Sequence, residues 1–290
     1  MVAEDDLNRL SESVYQYIAT PNDLTAAEVL QTCNSVSLDV RLRFTEVFMH
    51  VATIHKLELN TVYELIRRFD FVEQAFIQLL EERIHHQQTS STQDLPKGIS
   101  AVIRIQNEAQ HIKDSILSIY RSVDEIIVAL HNCTDDTESI IQKLIDSGLN
   151  KIRIIHYYEK IARAGHSYHQ EREQGLGSLA QYYNFCFSHA RYSDVLKWDG
   201  DMVAFPLLHQ ILINHNGQDA NLIFEGCDIF DEKCSAGPEI RLYPNQVKSF
   251  YFDSLYFEVL YSPFPSLAVS QPMYIHMKFA KDQLYLPYLT

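Results

Sequence analysis

Positive charge is scarce in this 290-residue chain: 24 Lys and Arg stand against 38 Asp and Glu, a formal charge of -14. That balance argues against nucleic acid as a partner and against docking on an anionic membrane by charge. Cut after Lys97, the deficit divides evenly, so neither part is a basic tail. Cysteine is also sparse. Cys33, Cys133, Cys186, Cys227 and Cys234 form no CxxC pair and no zinc-site spacing, and they read as reduced thiols. The first residues, Met-Val-Ala-Glu-Asp-Asp, lack the basic and then apolar order of a signal peptide, so a cytoplasmic setting is expected. A membrane-spanning run is missing as well. The best stretch, 256–275, carries Glu258, three prolines and three serines, which limits any membrane role to a peripheral one at the inner face. Residues 171–177 contain a GxG without a third glycine or a preceding strand, and there is no GxSxG elbow. A dinucleotide fingerprint and a serine-hydrolase nucleophile are thereby unsupported.

What is present is the composition of a folded protein, 46% hydrophobic and 21% charged. Residues 1–86 show apolar side chains at three-and-four spacing (Leu7, Leu10, Val14, Ile18; Val62, Leu65, Ile66, Phe69), which predicts at least three helices in an all-α accessory domain. Thr25 with Glu28 reads as a capping box, and Asn60 as the cap of a helix running towards Arg83. The polar segment 87–97, closed by Pro96, reads as a linker. From residue 98 to 290 the pattern changes. The strands Ile99 to Ile105, Glu125 to Leu130 and Lys151 to Tyr157 alternate with helices from His111 and Glu138, predicting a mostly parallel open sheet with flanking crossover helices. Such sheets bind ligands at the carboxyl ends of their strands.

The sharpest motif is Trp198-Asp199-Gly200-Asp201-Met202 behind the apolar Val195-Leu196. Two carboxylates two residues apart at a strand end share a side, and Gly200 permits a sharp turn between them. A hard divalent cation holding a diphosphate suits that pair. An Asp-Gly hairpin turn is the simpler alternative.

In order, Ile99 to Glu108, Asp124 to Thr137 (with Leu130-His131-Asn132-Cys133-Thr134-Asp135), Gly177 to Asn184 and Trp198 to Asp201 form a set that resembles family 2 glycosyltransferases of the GT-A fold. The resemblance implies a GT-A-like, Rossmann-like α/β domain. By position, Arg104, Gln106 and Glu108 would border the nucleotide, and Asp199 and Asp201 would face Mn²⁺ or Mg²⁺ and the donor ribose. This chain departs from the family at Leu130-His131-Asn132, where two acidic residues are usual, so His131 or Asn132 would take over the hydrogen bond to the base. Downstream, Gly237 to Pro244 resembles the Arg-Leu-Phe segment of some bacterial members. The resemblance then implies His276 as a metal ligand, with a hydrogen-bonded structural histidine as the alternative, and Lys278 as a counter-charge to the diphosphate. Glu258, Asp253 and Glu239 are the candidates for the base.

The function expected is metal-dependent, inverting transfer of a sugar from a nucleotide-diphospho-sugar to a hydroxyl on a glycan, lipid-linked or protein acceptor, as in bacterial surface polysaccharide assembly. The alternatives are a catalytically silent nucleotide-sugar or glycan binding module and a sugar-phosphate nucleotidylyltransferase. For the latter, the glycine-rich triphosphate loop is missing from 106–110. The helical domain reads as a docking unit or a homo-oligomer interface, or as a stabilising cap.

Overall fold

The computed structural model describes residues 2–89, 95–215, 217, 219–228, 236–246 and 248–277. In chain order the elements are α1 (Val2–Ala19), α2 (Asp23–Ser35), α3 (Leu38–Leu42), α4 (Phe44–Ile54), α5 (Leu59–Ile66), α6 (Gln74–Thr89), β1 (Ile99–Ile105), α7 (Ile112–Ile119), β2 (Glu125–His131), α8 (Thr137–Asp146) and β3 (Ile152–Tyr157). There follow α9 (Tyr168–Glu173), α10 (Leu179–Phe187), β4 (Asp194–Asp199), β5 (Met202–Ala204), α11 (Pro206–Ile213), β6 (Asn221–Asp228), β7 (Ala236–Pro244), β8 (Phe250–Asp253), β9 (Glu258–Tyr261) and β10 (Ser266–His276).

The chain divides into two compact units, and the division is not a single cut. One unit comprises Met1–Gln93, Lys160–Asn184 and Val247–Pro263; the other comprises Asp94–Glu159, Phe185–Gln246 and Phe264–Thr290. The linker expected at 87–97 overlaps the end of α6, which runs to Thr89, and 90–94 lie outside the described residues.

In the helical unit, α4 places Phe44, Val47, Phe48 and Val51 on one buried face at helical spacing. These join Leu10, Val14 and Tyr17 of α1, Val62 and Ile66 of α5, and Phe250 and Phe252 of β8 in a single core. The β8–β9 hairpin therefore shares its core with the N-terminal helices. Two local expectations are corrected. The cap of α2 is Asn22, whose Oδ1 accepts from the Leu24 and Thr25 amides at 2.9 and 3.0 Å, while Thr25 Oγ1 accepts from the Asn22 amide. Thr25 is thus the third helical residue of the box rather than its cap. The helix expected from Asn60 to Arg83 is two helices, because the chain leaves α5 at Arg67 and re-enters a helix only at Gln74.

The other unit is the α/β domain. Its eight-stranded sheet has the order β3-β2-β1-β4-β7-β6-β10-β5. The four strands β3, β2, β1 and β4 are mutually parallel, as the strand and helix alternation predicts; β7 enters antiparallel to both β4 and β6, and β5 pairs antiparallel with β10. Every residue of β1 and β2 is buried, which is why both read as unbroken apolar runs. One face carries Ile103, Trp198 and Leu242 against Ile112 and Ile116 of α7. Among the described residues no helix is long and apolar enough to cross a membrane. Cys33, Cys133 and Cys186 are free thiols, but Cys227 is disulfide-bonded, which corrects the reading of five reduced thiols; Cys234 lies outside the described residues.

Candidate functional site

The parallel register brings the carboxyl ends of β1, β2 and β4 to one edge. Arg104 stands beside Asp199 in the β1–β4 ladder and beside Ala129 in the β1–β2 ladder. The buried indole of Trp198 donates to Ser115 Oγ at 3.0 Å, and that hydroxyl donates to the Asp199 carbonyl at 2.9 Å, so α7 fixes the backbone where the Asp-Gly-Asp turn begins. The turn is tight for a reason other than the one expected. Gly200 does not have a left-handed backbone; a Cβ on it would lie 2.4 Å from Ile105 Cγ2 and 3.0 Å from Glu108 Cγ. Glycine is needed there for close approach of the β1 and β4 loops.

Asp199 sits among cations. Its Oδ1 accepts from Arg104 at 2.6 Å and its Oδ2 from Arg241 of β7 at 2.8 Å. Arg241 also pairs with Glu239 at 2.6 Å, and Lys197 contacts Glu239 in turn. The guanidinium of Arg104 lies over the Phe187 ring and that of Arg241 over Tyr274. Burial alone would raise the Asp199 pKa, but Arg241, Arg104 and Lys197 outweigh it and hold the carboxyl well below the usual carboxylate range. Glu239 is lowered by the same balance, burial against Arg241 and Lys197. Within this cluster three cations stand against two carboxylates. The metal and ribose role expected of Asp199 is set against this geometry: both its oxygens already serve arginines, so it acts here as the anchor of two guanidinium groups.

Asp201 faces different company. Its Oδ1 lies 3.3 Å from His276 Nε2, and the backbone amide of Met277 donates to the Asp201 carbonyl at 2.8 Å. On the other side of the ring, His276 Nδ1 lies 3.2 Å from Asp228 Oδ1. Burial lowers the His276 pKa, while the hydrogen bond and charge of Asp201 raise it, and the net direction is upward. His276 thus stands beside Asp201, where the resemblance implies it; Lys278 lies outside the described residues.

The loops after β1 and β2 are tied to each other. Asn107 and Asn132 have left-handed backbones, φ 58° and 47°, a conformation asparagine tolerates. Asn107 Oδ1 accepts from the Thr134 amide at 2.7 Å, the Glu108 amide donates to Thr137 Oγ1 at 2.8 Å, and the Ala109 amide donates to Asp135 at 3.1 Å. The Asp-Asp-Thr segment after β2 therefore holds the Asn-Glu loop in place. Gln106 is exposed and Glu108 buried. His131 Nε2 bonds the Glu159 carbonyl at 2.8 Å, with Asn132 Nδ2 3.5 Å from the same oxygen. The His131 ring neighbours Tyr157, which packs on Phe185, so an aromatic group borders the place where the base is expected. Burial and the nearby Glu159 push the Tyr157 hydroxyl up to about 12, leaving it a neutral donor at physiological pH.

The base candidates Asp253 and Glu258 belong to the helical unit, where they face each other across the β8–β9 ladder. Asp253 is a hub of structural bonds. It accepts from the Tyr168 hydroxyl, from Ser178 Oγ at 2.5 Å and from the Ala180 amide at 3.1 Å, and it lies 3.4 Å from Arg172. It caps α10 and has little acceptor capacity left for an incoming hydroxyl. Sequence reasoning had no signal for this hub or for Asp228, since their partners lie distant in the chain.

A divalent cation fits these residues in part. Asp201 and His276 offer a hard oxygen and an imidazole nitrogen at adjacent positions, a donor pair that suits Mn²⁺. Asp228 Oδ1 is a buried oxygen without a well-directed hydrogen bond. Asp199 does not complete the set, and among the described residues no three or more acidic, His or Cys side chains converge on one point.

Against known families, residues 81–204, less than half of the chain, match the family described as Beta-1,4-N-acetylgalactosaminyltransferase (CgtA). No curated protein matches. Among solved structures, S. aureus TarS 1-349 is similar at 13% identity and a TM-score of 0.43, over 62% of this chain and 60% of that one. Mannosyltransferase PcManGT from Pyrobaculum calidifontis, solved with GDP-Man and Mn²⁺, is similar at 14% identity and a TM-score of 0.33, over 62% of this chain and 47% of that one. The chain thus spans less than two thirds of either structure. The segment from the end of α6 to β5, which holds the parallel strands and the Asp-Gly-Asp turn, carries the sequence pattern of a glycosyltransferase.

Proposed function

We propose that the protein transfers a sugar, with inversion and metal assistance, from a nucleotide-diphospho-sugar to a hydroxyl acceptor. The observation that carries this reading is the single sheet edge at which Arg104, Glu108, His131, Asp199 and Asp201 meet, inside the segment that matches a glycosyltransferase family. The nucleobase lies by His131 and the Tyr157 ring, with His131 or Asn132 in place of the usual carboxylate. The diphosphate lies towards the positive cluster of Arg104, Lys197 and Arg241, where a fixed cation stabilises charge that develops as the bond to the sugar breaks. Asp201 and His276 would hold the divalent cation, which would supply further neutralisation of the departing diphosphate. The acceptor oxygen bonds to the anomeric carbon as the nucleoside diphosphate leaves, and the acceptor proton passes to a carboxylate. Glu258 is our choice for that base, on its place in the family resemblance alone.

UDP-N-acetylgalactosamine is the first donor to try, given the description of the matched family. Incubation with a panel of nucleotide sugars and Mn²⁺ should release nucleoside diphosphate slowly from one of them, and release from none would reject the enzymatic reading. A second reading, a nucleotide-sugar binding module without turnover, draws on the Arg104–Asp199–Arg241 triad; it predicts donor binding that Mn²⁺ does not strengthen.

A further inference from the structure

Asp228 has no role in the motifs that carry the resemblance, yet the fold places it against His276. In the parallel β6–β10 ladder His276 stands directly opposite Asp228, and in the antiparallel β5–β10 ladder it stands opposite Met202, the residue after Asp201. The backbone thus aligns Asp201, the imidazole and Asp228 in a row before any side chain chooses a partner. The two carboxylates lie on opposite ring nitrogens, Asp201 at 3.3 Å from Nε2 and Asp228 at 3.2 Å from Nδ1. They do not converge on a common point, so they do not act alike. Asp228 is recessed, and its Oδ1 is buried and off the line of a good hydrogen bond to the ring.

We infer that Asp228 is a positioning residue: it accepts a hydrogen bond from Nδ1–H of His276, fixes that tautomer when a cation is bound, and thereby leaves the Nε2 lone pair on the side of Asp201, where these two would hold a divalent cation. A carboxylate behind a ligating histidine orients the ring and raises its basicity, and its loss commonly lowers metal affinity roughly 10–100-fold. A purely structural role is a weak rival, because the backbone ladders already join β6 to β10 without the Asp228 side chain.

The inference rests on the reading of Asp201 and His276 as metal ligands, and the test separates the two. Mn²⁺ alone is titrated into the full chain and into its Asp228→Asn, Asp201→Asn and His276→Ala variants, by calorimetry and by the loss of the free-ion EPR signal. The wild type should bind one Mn²⁺, Asp201→Asn and His276→Ala should lose it, and Asp228→Asn should bind it roughly 10–100-fold more weakly. In parallel, the ¹⁵N shifts of the His276 ring in the Zn²⁺-loaded protein should report an Nδ1–H tautomer, with an altered Nδ1 shift in Asp228→Asn. Equal Mn²⁺ affinity and an unchanged ring signal in Asp228→Asn overturn the role of Asp228 while leaving the ligand reading intact. A wild type that binds no Mn²⁺ overturns both. An Asp228→Asn protein that unfolds at lower denaturant yet keeps wild-type Mn²⁺ affinity assigns Asp228 to structure and likewise defeats the inference.

Discussion

On one side of Gly200 a carboxylate is surrounded by cations; on the other, two residues later, a carboxylate stands beside an imidazole. Asp199 is satisfied by Arg104 and Arg241, and the group is closed: every charge in it has a partner within the sheet edge. Asp201 has a neighbour whose own charge depends on protonation or metal, so that side can accept a cation. Two carboxylates that look equivalent in sequence are therefore different devices. One organises fixed positive charge; the other, in the function proposed, takes up a mobile cation. Spacing alone does not separate them, because what differs is the strand that arrives beside each: β7 brings Arg241 to Asp199, and β10 brings His276 to Asp201.

Removing each carboxylate separately tests this contrast. The largest effect is expected from Asp201→Asn, which should lower transfer at least about 100-fold with little change in the unfolding midpoint; unchanged turnover in a donor assay would break the comparison on its functional side. Next comes Asp199→Asn, which removes the carboxylate shared by two buried guanidinium groups and should cost about 3 kcal/mol of stability in urea unfolding. A stable Asp199→Asn protein would show that the arginines are solvated rather than held. The same pair has a pH signature. The folded-state pKa of Asp199 lies below its unfolded value of about 3.9, so its contribution is complete above roughly pH 4 and is lost as pH falls through the folded pKa. Asp199→Asn should flatten that acid decline. Gly200→Ala should cost about 2 kcal/mol through overpacking against the buried Ile105 methyl, seen as a shift in melting temperature. The smallest change is expected from Asp253→Asn, about 1.5 kcal/mol from weakened bonds to Tyr168, Ser178 and the α10 amide. Lost turnover at unchanged stability in that variant would restore Asp253 as the base.

Much of the parallel half was legible because its signals are local. β1 runs from Ile99 to Ile105 as its β-branched run predicts, and β2 and β3 differ from expectation by a residue. Of the two helices between them, α7 is shorter at its ends than the periodicity suggests, since capping turns look helical in sequence, and α8 is shifted by one residue. What sequence could not show is pairing across distance. Asp253 and Tyr168 are 85 residues apart, and nothing local marks either as the cap of α10. The β8–β9 hairpin follows the sheet strands in the chain, yet its phenylalanines complete the core of the N-terminal helices, so contiguity misleads about which unit it serves. Gly200 was legible as necessary but for the wrong reason, because close approach of a second loop leaves no trace in a single sequence.

The scarcity of positive charge gains a meaning from this arrangement. A chain with a net charge of -14 gathers Arg104, Lys197 and Arg241 at one strand edge and leaves Asp201 beside an imidazole. Both features favour a diphosphate with a bound cation. The central claim is that Asp201, not Asp199, links metal to donor. The most direct test is calorimetric titration of UDP-N-acetylgalactosamine, or of the donor a panel selects, with and without Mn²⁺, into the wild type and Asp201→Asn. Mn²⁺ should tighten donor binding to the wild type by tenfold or more, roughly the 1.4 kcal/mol of a modest coupling, and should have no effect in Asp201→Asn. Donor binding of equal strength with and without Mn²⁺ in the wild type would contradict it.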